Sequence, residues 1–219
     1  MQKTEELLSL DKSAAGGFIG KFSCPWQALP CIKEFILEYG KSLDESEYRL
    51  LSENVWVHNS AEIAPTAYIG SPCIIGENTE VRHCAFIRGS ALIGKNCVVG
   101  NSTEIKNAIL FDNVQVPHYN YVGDSILGYK AHLGAGAVTS NVKSDRSLVS
   151  VRTDGGRVET GLKKFGAVVG DLVEVGCNSV LNPGTVIGRN TNIYPLSSVR
   201  GEIPSDSIYK SAEKIVSKE

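Results

Sequence analysis

The chain has 219 residues, a net charge of -2 and a pI near 6.1, which leaves no broad cationic face for nucleic acid or an acidic membrane surface. The N-terminus, MQKTEELLSL, is acidic and lacks a basic-plus-apolar leader, and no apolar run approaches the ~18 residues of a membrane span; a cytoplasmic protein is expected. The six cysteines include no CxxC pair, so buried reduced thiols are expected in preference to disulfides or zinc ligands.

Residues 1–54 come first. LPCIKEFILEYGKSL and ESEYRLLSEN have helical apolar spacing, with Asp44 placed as an N-cap for the second. This segment reads as a short helical cap over an open end, with Trp26 and Phe35 as plugs.

From Val57 the pattern changes to a strict period of six. Val57, Ile63, Ile69, Ile75, Val81, Ile87, Ile93, Val99 and Ile105 follow one another at that spacing. A small residue stands four places after each of the first eight: Ala61, Ala67, Cys73, Thr79, Ala85, Ala91, Cys97 and Thr103. The period resumes at Val169, Val175, Leu181, Ile187, Ile193 and Val199. A fixed hexad phase predicts a parallel β-helix. Each hexad supplies a short strand and a corner, three hexads make a coil, and the aliphatic residues stack inside. Asn78, Asn96, Asn178 and Asn190 recur three residues after the aliphatic position, where a corner needs positive φ. A β-sandwich would instead place turns every 8–12 residues or so without a six-residue phase. The reading is therefore all-β: a parallel β-helix over 55–204, with six to seven coils.

Two features interrupt it. Between 142 and 166 the phase is lost, and LVSVRTDGGRVETGL reads as an extruded hairpin turning at Asp154, Gly155 and Gly156. Phase slips near Phe111 and Gly128 read as local bulges beside a pocket. After Pro204, residues 205–219 form a short cap or subunit-contact segment.

The chemistry is concentrated between Arg88 and Asn141. The spacing GN-x3-IK, H-x2-Y-x-GD and GAG, in GNSTEIKNAIL and VPHYNYVGDSILGYKAHLGAGAVTSN, resembles the C-terminal acetyltransferase half of the bacterial bifunctional UDP-N-acetylglucosamine pyrophosphorylase/glucosamine-1-phosphate N-acetyltransferase. It is closer to archaeal-type sugar-1-phosphate nucleotidylyltransferases with an amino-sugar acetyltransferase tail, over about Ile69 to Gly201. The resemblance implies a trimeric left-handed β-helix using acetyl-CoA as acyl donor, without a metal, in UDP-N-acetylglucosamine biosynthesis. It implies His118 as catalytic base and Glu104 as its partner. A histidine near its ordinary pKa can take the proton an amino sugar must lose before attacking a thioester. It implies Arg88, Lys106 and Tyr121 as holders of the sugar phosphate, Asn141 as an amino-sugar contact, and Ala135 where backbone N–H groups meet the thioester. Lys163 and Lys164, after the hairpin, are secondary phosphate candidates.

Three positions depart from the bifunctional pattern. His132 replaces a sugar-contacting asparagine and is kept as a substrate-binding residue. Cys177 replaces a serine, and Pro195 a small residue, in the acetyl-CoA site. Residues 1–54 are too few for a nucleotide-binding α/β domain, so nucleotidyl transfer is not expected of this chain alone. A γ-type carbonic anhydrase shares this helix but needs three histidines on zinc, and His58, His83, His118 and His132 lack that family's close pair. A non-catalytic trimeric binding or regulatory module is the other alternative. The acceptor itself, phosphate-linked or nucleotide-linked, is left open.

Overall fold

In the computed structural model, which describes residues 1–218, the hexads become short strands, most of two or three residues, that pair in parallel with the coil before and the coil after. The first face stacks Val55–His58, Cys73–Ile75, Ala91–Ile93, the ends of Glu104–Leu110 and Tyr121–Leu127, Ala167–Val169, Thr185–Ile187 and Glu202–Ile203. The second runs from Glu62–Ile63 through Gln115–His118 and His132–Leu133 to Ser207–Ser211. The third runs from Tyr68–Ile69 to Ser198–Val199. This is the parallel hexapeptide β-helix the period predicted, left-handed as the resemblance implies, and longer by about one coil than six to seven. Ile75, Ile87, Ile93, Ile105 and Leu181 are fully buried in its stacked interior.

The phase slips are not bulges. Ile87 pairs with Ile105 across eighteen residues, whereas Ile105 pairs with Val122, and Leu110 with Leu127, across seventeen. Two coils are each one residue short. The shortage falls at the corner between the third and first faces, where Glu104–Leu110 and Tyr121–Leu127 run round without a break on Asn107 and Asp124, at φ 48° each. Asn and Asp tolerate that conformation.

On the first face the outward positions are apolar as well, down to Glu202 in the last coil. Trp56, Ile74, Leu92, Ile109, Ile126, Val168 and Val186 form one file down it, and all are buried. The cover is the N-terminal segment, which runs as a strap from the last coil to the first. Gln2 Nε2 donates to Ile203 O, Asp171 N to Leu7 O and Asp112 N to Lys12 O. Trp26 stacks on Phe165 at 5.7 Å, and Ile32–Gly40 ends with Gly40 against the Trp56 ring. Each large side chain so covered is worth about 1.5–3 kcal/mol.

The expected cap over the first coil is thereby corrected. Trp26 lies mid-helix, and Phe35 stacks between Phe18 and Tyr39 at 4.3 and 5.5 Å; neither plugs an end. ESEYRLLSEN is not helical. Tyr48–Ser52 is a strand antiparallel to Val55–His58, and the Asp44 carboxylate accepts from Ser46 N at 2.8 Å in the turn before it. An open parallel edge must be blocked, and that demand overrides helical spacing. At the other end Lys214–Ser217 pairs antiparallel with Ser207–Ser211.

The hairpin turns where expected, with Ser150–Thr153 against Gly156–Glu159. It lies back on the helix, however, and does not project. Val149 and Val151 are buried, and Gly184 and Gly201, at φ 80° and 81°, pass beneath Ser150 O and Arg152 O, where a Cβ would come to 2.7 Å.

Candidate active site

The shortened corner gathers five of the residues picked out in the sequence. Arg88 and Lys106 occupy the same outward position in successive coils, one residue past Ile87 and Ile105. Glu104 and Tyr121 are paired neighbours on the third face. Arg88 Nη1 donates to Glu104 Oε1 at 2.8 Å. Asn141 Nδ2 reaches the Tyr121 hydroxyl at 3.2 Å. The Tyr121 phenol lies over Gly123, where a Cβ would meet its hydroxyl at 2.4 Å, so only glycine fits beneath it.

The centre of this cluster is a residue the sequence reading assigned no role. Asp124 is 4% exposed. Its carboxylate accepts from Lys106 Nζ at 3.1 and 3.2 Å, from Asn107 Nδ2 at 2.9 Å and from Asn141 Nδ2 at 2.5 Å. Burial, and next the Asp124 charge, raise the Tyr121 pKa above its ordinary value, so the phenol stays a neutral donor at physiological pH. A signal was available in the GD of Y-x-GD, but an Asp after Gly reads as a turn residue until the shortened coil turns it inward.

The second corner, between the second and third faces, holds the other group. His118, Ala135, Cys177 and Pro195 each stand two places after an inward aliphatic residue, and successive coils are stitched there by Gly136 N to His118 O, Asn178 N to Ala135 O and Leu196 N to Cys177 O. They form one file. The proposed base and the three proposed donor-site residues thus share a single groove edge, His118 lying three residues before Tyr121. The Ala135 N–H meets no protein acceptor among the described residues. Asn120 fills the inward small position below His118, donating to Gly134 O and Ala137 O at 2.8 and 3.0 Å.

Two expectations are not met by the geometry. Glu104 is held by Arg88, and among the described residues the exposed His118 ring makes no side-chain hydrogen bond, so the expected pairing of the two is absent. His132 lies away from the phosphate-side residues on the second face, its Nδ1 2.7 Å from Glu174 Oε2. Lys163 and Lys164 face solvent. The other histidines stand apart, His58 on Ser60 and His83 on Thr66. Burial pushes the Cys73 and Cys97 thiols up to about 12.

Residues 90–186 match the family model described as the GMPPB C-terminal domain, and residues 54–89 match the six-repeat bacterial transferase hexapeptide model. The resemblance drawn from the motifs stands. Bifunctional protein GlmU of Methanococcus vannielii is 37% identical over 112 residues, 51% of this chain and 27% of its own length. The bifunctional sugar-1-phosphate nucleotidylyltransferase/acetyltransferase of Sulfurisphaera tokodaii is 32% identical over 103 residues, 47% of this chain and 26% of its own. The chain therefore spans about a quarter of the length of these relatives. Among solved structures, the acetyltransferase domain of PglB from Neisseria gonorrhoeae FA1090, in complex with acetyl coenzyme A, is 15% identical with a TM-score of 0.38, covering 73% of this chain and 55% of that one. UDP-N-acetylglucosamine acyltransferase of Francisella novicida is 18% identical with a TM-score of 0.44, covering 72% and 65%. No helix among the described residues is long and apolar enough to cross a membrane.

Proposed function

We propose that the chain is an acetyl-CoA-dependent N-acetyltransferase acting on an amino-sugar phosphate, as a homotrimer with His118 as general base. The observation that carries this reading is the file His118, Ala135, Cys177 and Pro195 along one corner, beside a polar cluster built on Asp124. The acceptor's nitrogen attacks the thioester carbonyl, the C–N bond forms, and the C–S bond breaks to release the CoA thiolate. His118, whose ring nitrogens have no protein partner among the described residues, takes the proton the nitrogen loses. The unpartnered Ala135 N–H suits the oxygen that gains charge as the carbonyl becomes tetrahedral. Tyr121 and Asn141 offer neutral hydrogen bonds to the sugar. Glu104 acts through Arg88 in this reading, orienting the guanidinium, and not through His118.

The test is a screen of glucosamine-1-phosphate, galactosamine-1-phosphate and nucleotide-linked amino sugars against acetyl-CoA, following free thiol. Acceptor-dependent thiol release is expected with at least one of them. Release no faster than background hydrolysis with every acceptor would favour the non-catalytic module.

A further inference from the structure

The two oxygens of the Asp124 carboxylate are each held by one amide. Oδ1 accepts from Asn107 Nδ2 at 2.9 Å and Oδ2 from Asn141 Nδ2 at 2.5 Å, while Lys106 Nζ bridges both. Each amide nitrogen makes one further bond. Asn141 Nδ2 donates to the Tyr121 hydroxyl at 3.2 Å, and Asn107 Nδ2 donates to Leu29 O at 3.3 Å. Leu29 belongs to the N-terminal strap. One chain of hydrogen bonds therefore runs Leu29, Asn107, Asp124, Asn141, Tyr121, from the cover of the first face to the phenol proposed for the sugar. Its polarity is fixed, because an ionised carboxylate only accepts. Both amides must turn N–H toward Asp124, so Asn141 Oδ1 remains an acceptor and the Tyr121 O–H a donor without a protein partner among the described residues. The strap reaches the same place by a second route. Trp26 stacks on Phe165 at 5.7 Å, Phe165 N donates to Asn141 O at 2.9 Å, and Gly166 N to Asp124 O at 2.9 Å. Trp26 and Leu29 are both buried and lie in one short helical segment, Pro25–Cys31.

We propose that Asn107 is a positioning residue for the amino sugar, and that the strap acts through it. Leu29 O and Asn107 set the rotation of the Asp124 carboxylate, and Asp124 sets the Asn141 amide and the Tyr121 phenol that meet the substrate. Without the Leu29 bond, the carboxylate is free to turn about its Cβ–Cγ bond, carrying Lys106 and Asn141 with it. The corner itself does not require the amide of Asn107. Its φ of 48° is open to glycine and tolerated by aspartate, so backbone conformation and hydrogen bonding can be separated by substitution. The assignment rests on the transferase reading for its substrate.

The experiment follows free thiol from acetyl-CoA with glucosamine-1-phosphate, or whichever screened amino sugar is used best, for wild type, Asn107→Gly, Asn107→Asp and Asn96→Gly. Asn96, at φ 53°, is a corner asparagine outside the chain of bonds and serves as the control. Asn107→Asp keeps the size and the corner conformation but sets an anionic side chain against Leu29 O and the Asp124 carboxylate. Both Asn107 variants should raise KM for the amino sugar by about tenfold, aspartate more than glycine, with KM for acetyl-CoA within about twofold of wild type. Asn96→Gly should leave both KM values where they were. A wild-type KM for the amino sugar in Asn107→Asp would reduce Asn107 to a corner former and overturn the proposal; so would equal losses against amino sugar and acetyl-CoA. Should the Asn107 variants fail to fold, hydrogen exchange of the wild type decides. Saturating amino sugar should slow exchange at Trp26, Ala28 and Leu29, the far end of the chain, because coupling between two sites is reciprocal, and unchanged exchange there overturns the proposal. Absence of thiol release by wild type with every amino sugar would overturn the transferase reading and this assignment together, whereas an unchanged KM in the Asn107 variants overturns this assignment alone.

Discussion

Asp124 is the residue on which the candidate site is assembled. Its side chain is 6% exposed and its Lys106 partner 26%, so removing the carboxylate strands a half-buried ammonium and two amide donors. Asp124→Ala should therefore destabilise the fold by about 3 kcal/mol, read as a lower urea midpoint at unchanged slope. Asp124→Asn, which can still accept from Asn107, should cost less. Equal stability of the alanine variant and the wild type would show that the cluster is not held this way. The cysteines give a second check. Cys31, Cys84 and Cys177 are exposed, and Cys24, Cys73 and Cys97 buried. A thiol reagent at neutral pH should titrate the first three in the native protein and the rest only after unfolding, since the thiolate is the reacting form. Rapid reaction of Cys73 or Cys97 would contradict the burial that raises them to about 12. Residues in a matching motif, such as Lys106, Tyr121 and Asn141, were legible from their spacing. Asp124 was not, because its inward turn depends on two coils each missing one residue.

The strap and the β-helix it covers depend on each other. The hexads were legible because the inward aliphatic position repeats without exception from Val57 to Ile105. The same residues carried a second message that went unread. VWV, CII, ALI, AIL, SIL, AVV and TVI place an apolar residue at the outward position of every first-face strand but the last, Glu202–Ile203, and an outward apolar file in a long β-helix needs a cover. Only the N-terminal segment was available to supply it. The helical spacing of ESEYRLLSEN misled for the opposite reason: local periodicity lost to the need to block a strand edge. Trp26→Ala removes the ring that stacks on the fully buried Phe165. It should cost about 3–5 kcal/mol and expose first-face surface to a hydrophobic dye. A variant as stable as wild type would mean that the strap is a bystander.

The third face presents aromatic side chains to solvent. On the third face the outward file runs Tyr68, Phe86, Glu104, Tyr121, Val138 and Val180. Tyr68 and Phe86 are 61% and 43% exposed, their rings 5.5 Å apart. Paired exposed aromatic rings of this kind mark an association surface, and in the proposed trimer this face meets a second copy. Light scattering should give three times the single-chain 23.6 kDa, reduced by Phe86→Glu. A concentration-independent mass near 23.6 kDa would contradict it.

The proposed activity turns on His118 taking the proton that the acceptor nitrogen loses. Free-thiol release from acetyl-CoA, measured for wild type and His118→Ala on the best acceptor at neutral pH, tests that directly. The expected result is a loss of roughly 10²–10⁴-fold in kcat with assembly mass and melting temperature unchanged, partly recovered at higher pH as more of the acceptor amine arrives already deprotonated. Wild-type turnover by His118→Ala would contradict the assignment and move the search for a base to the His132–Glu174 pair.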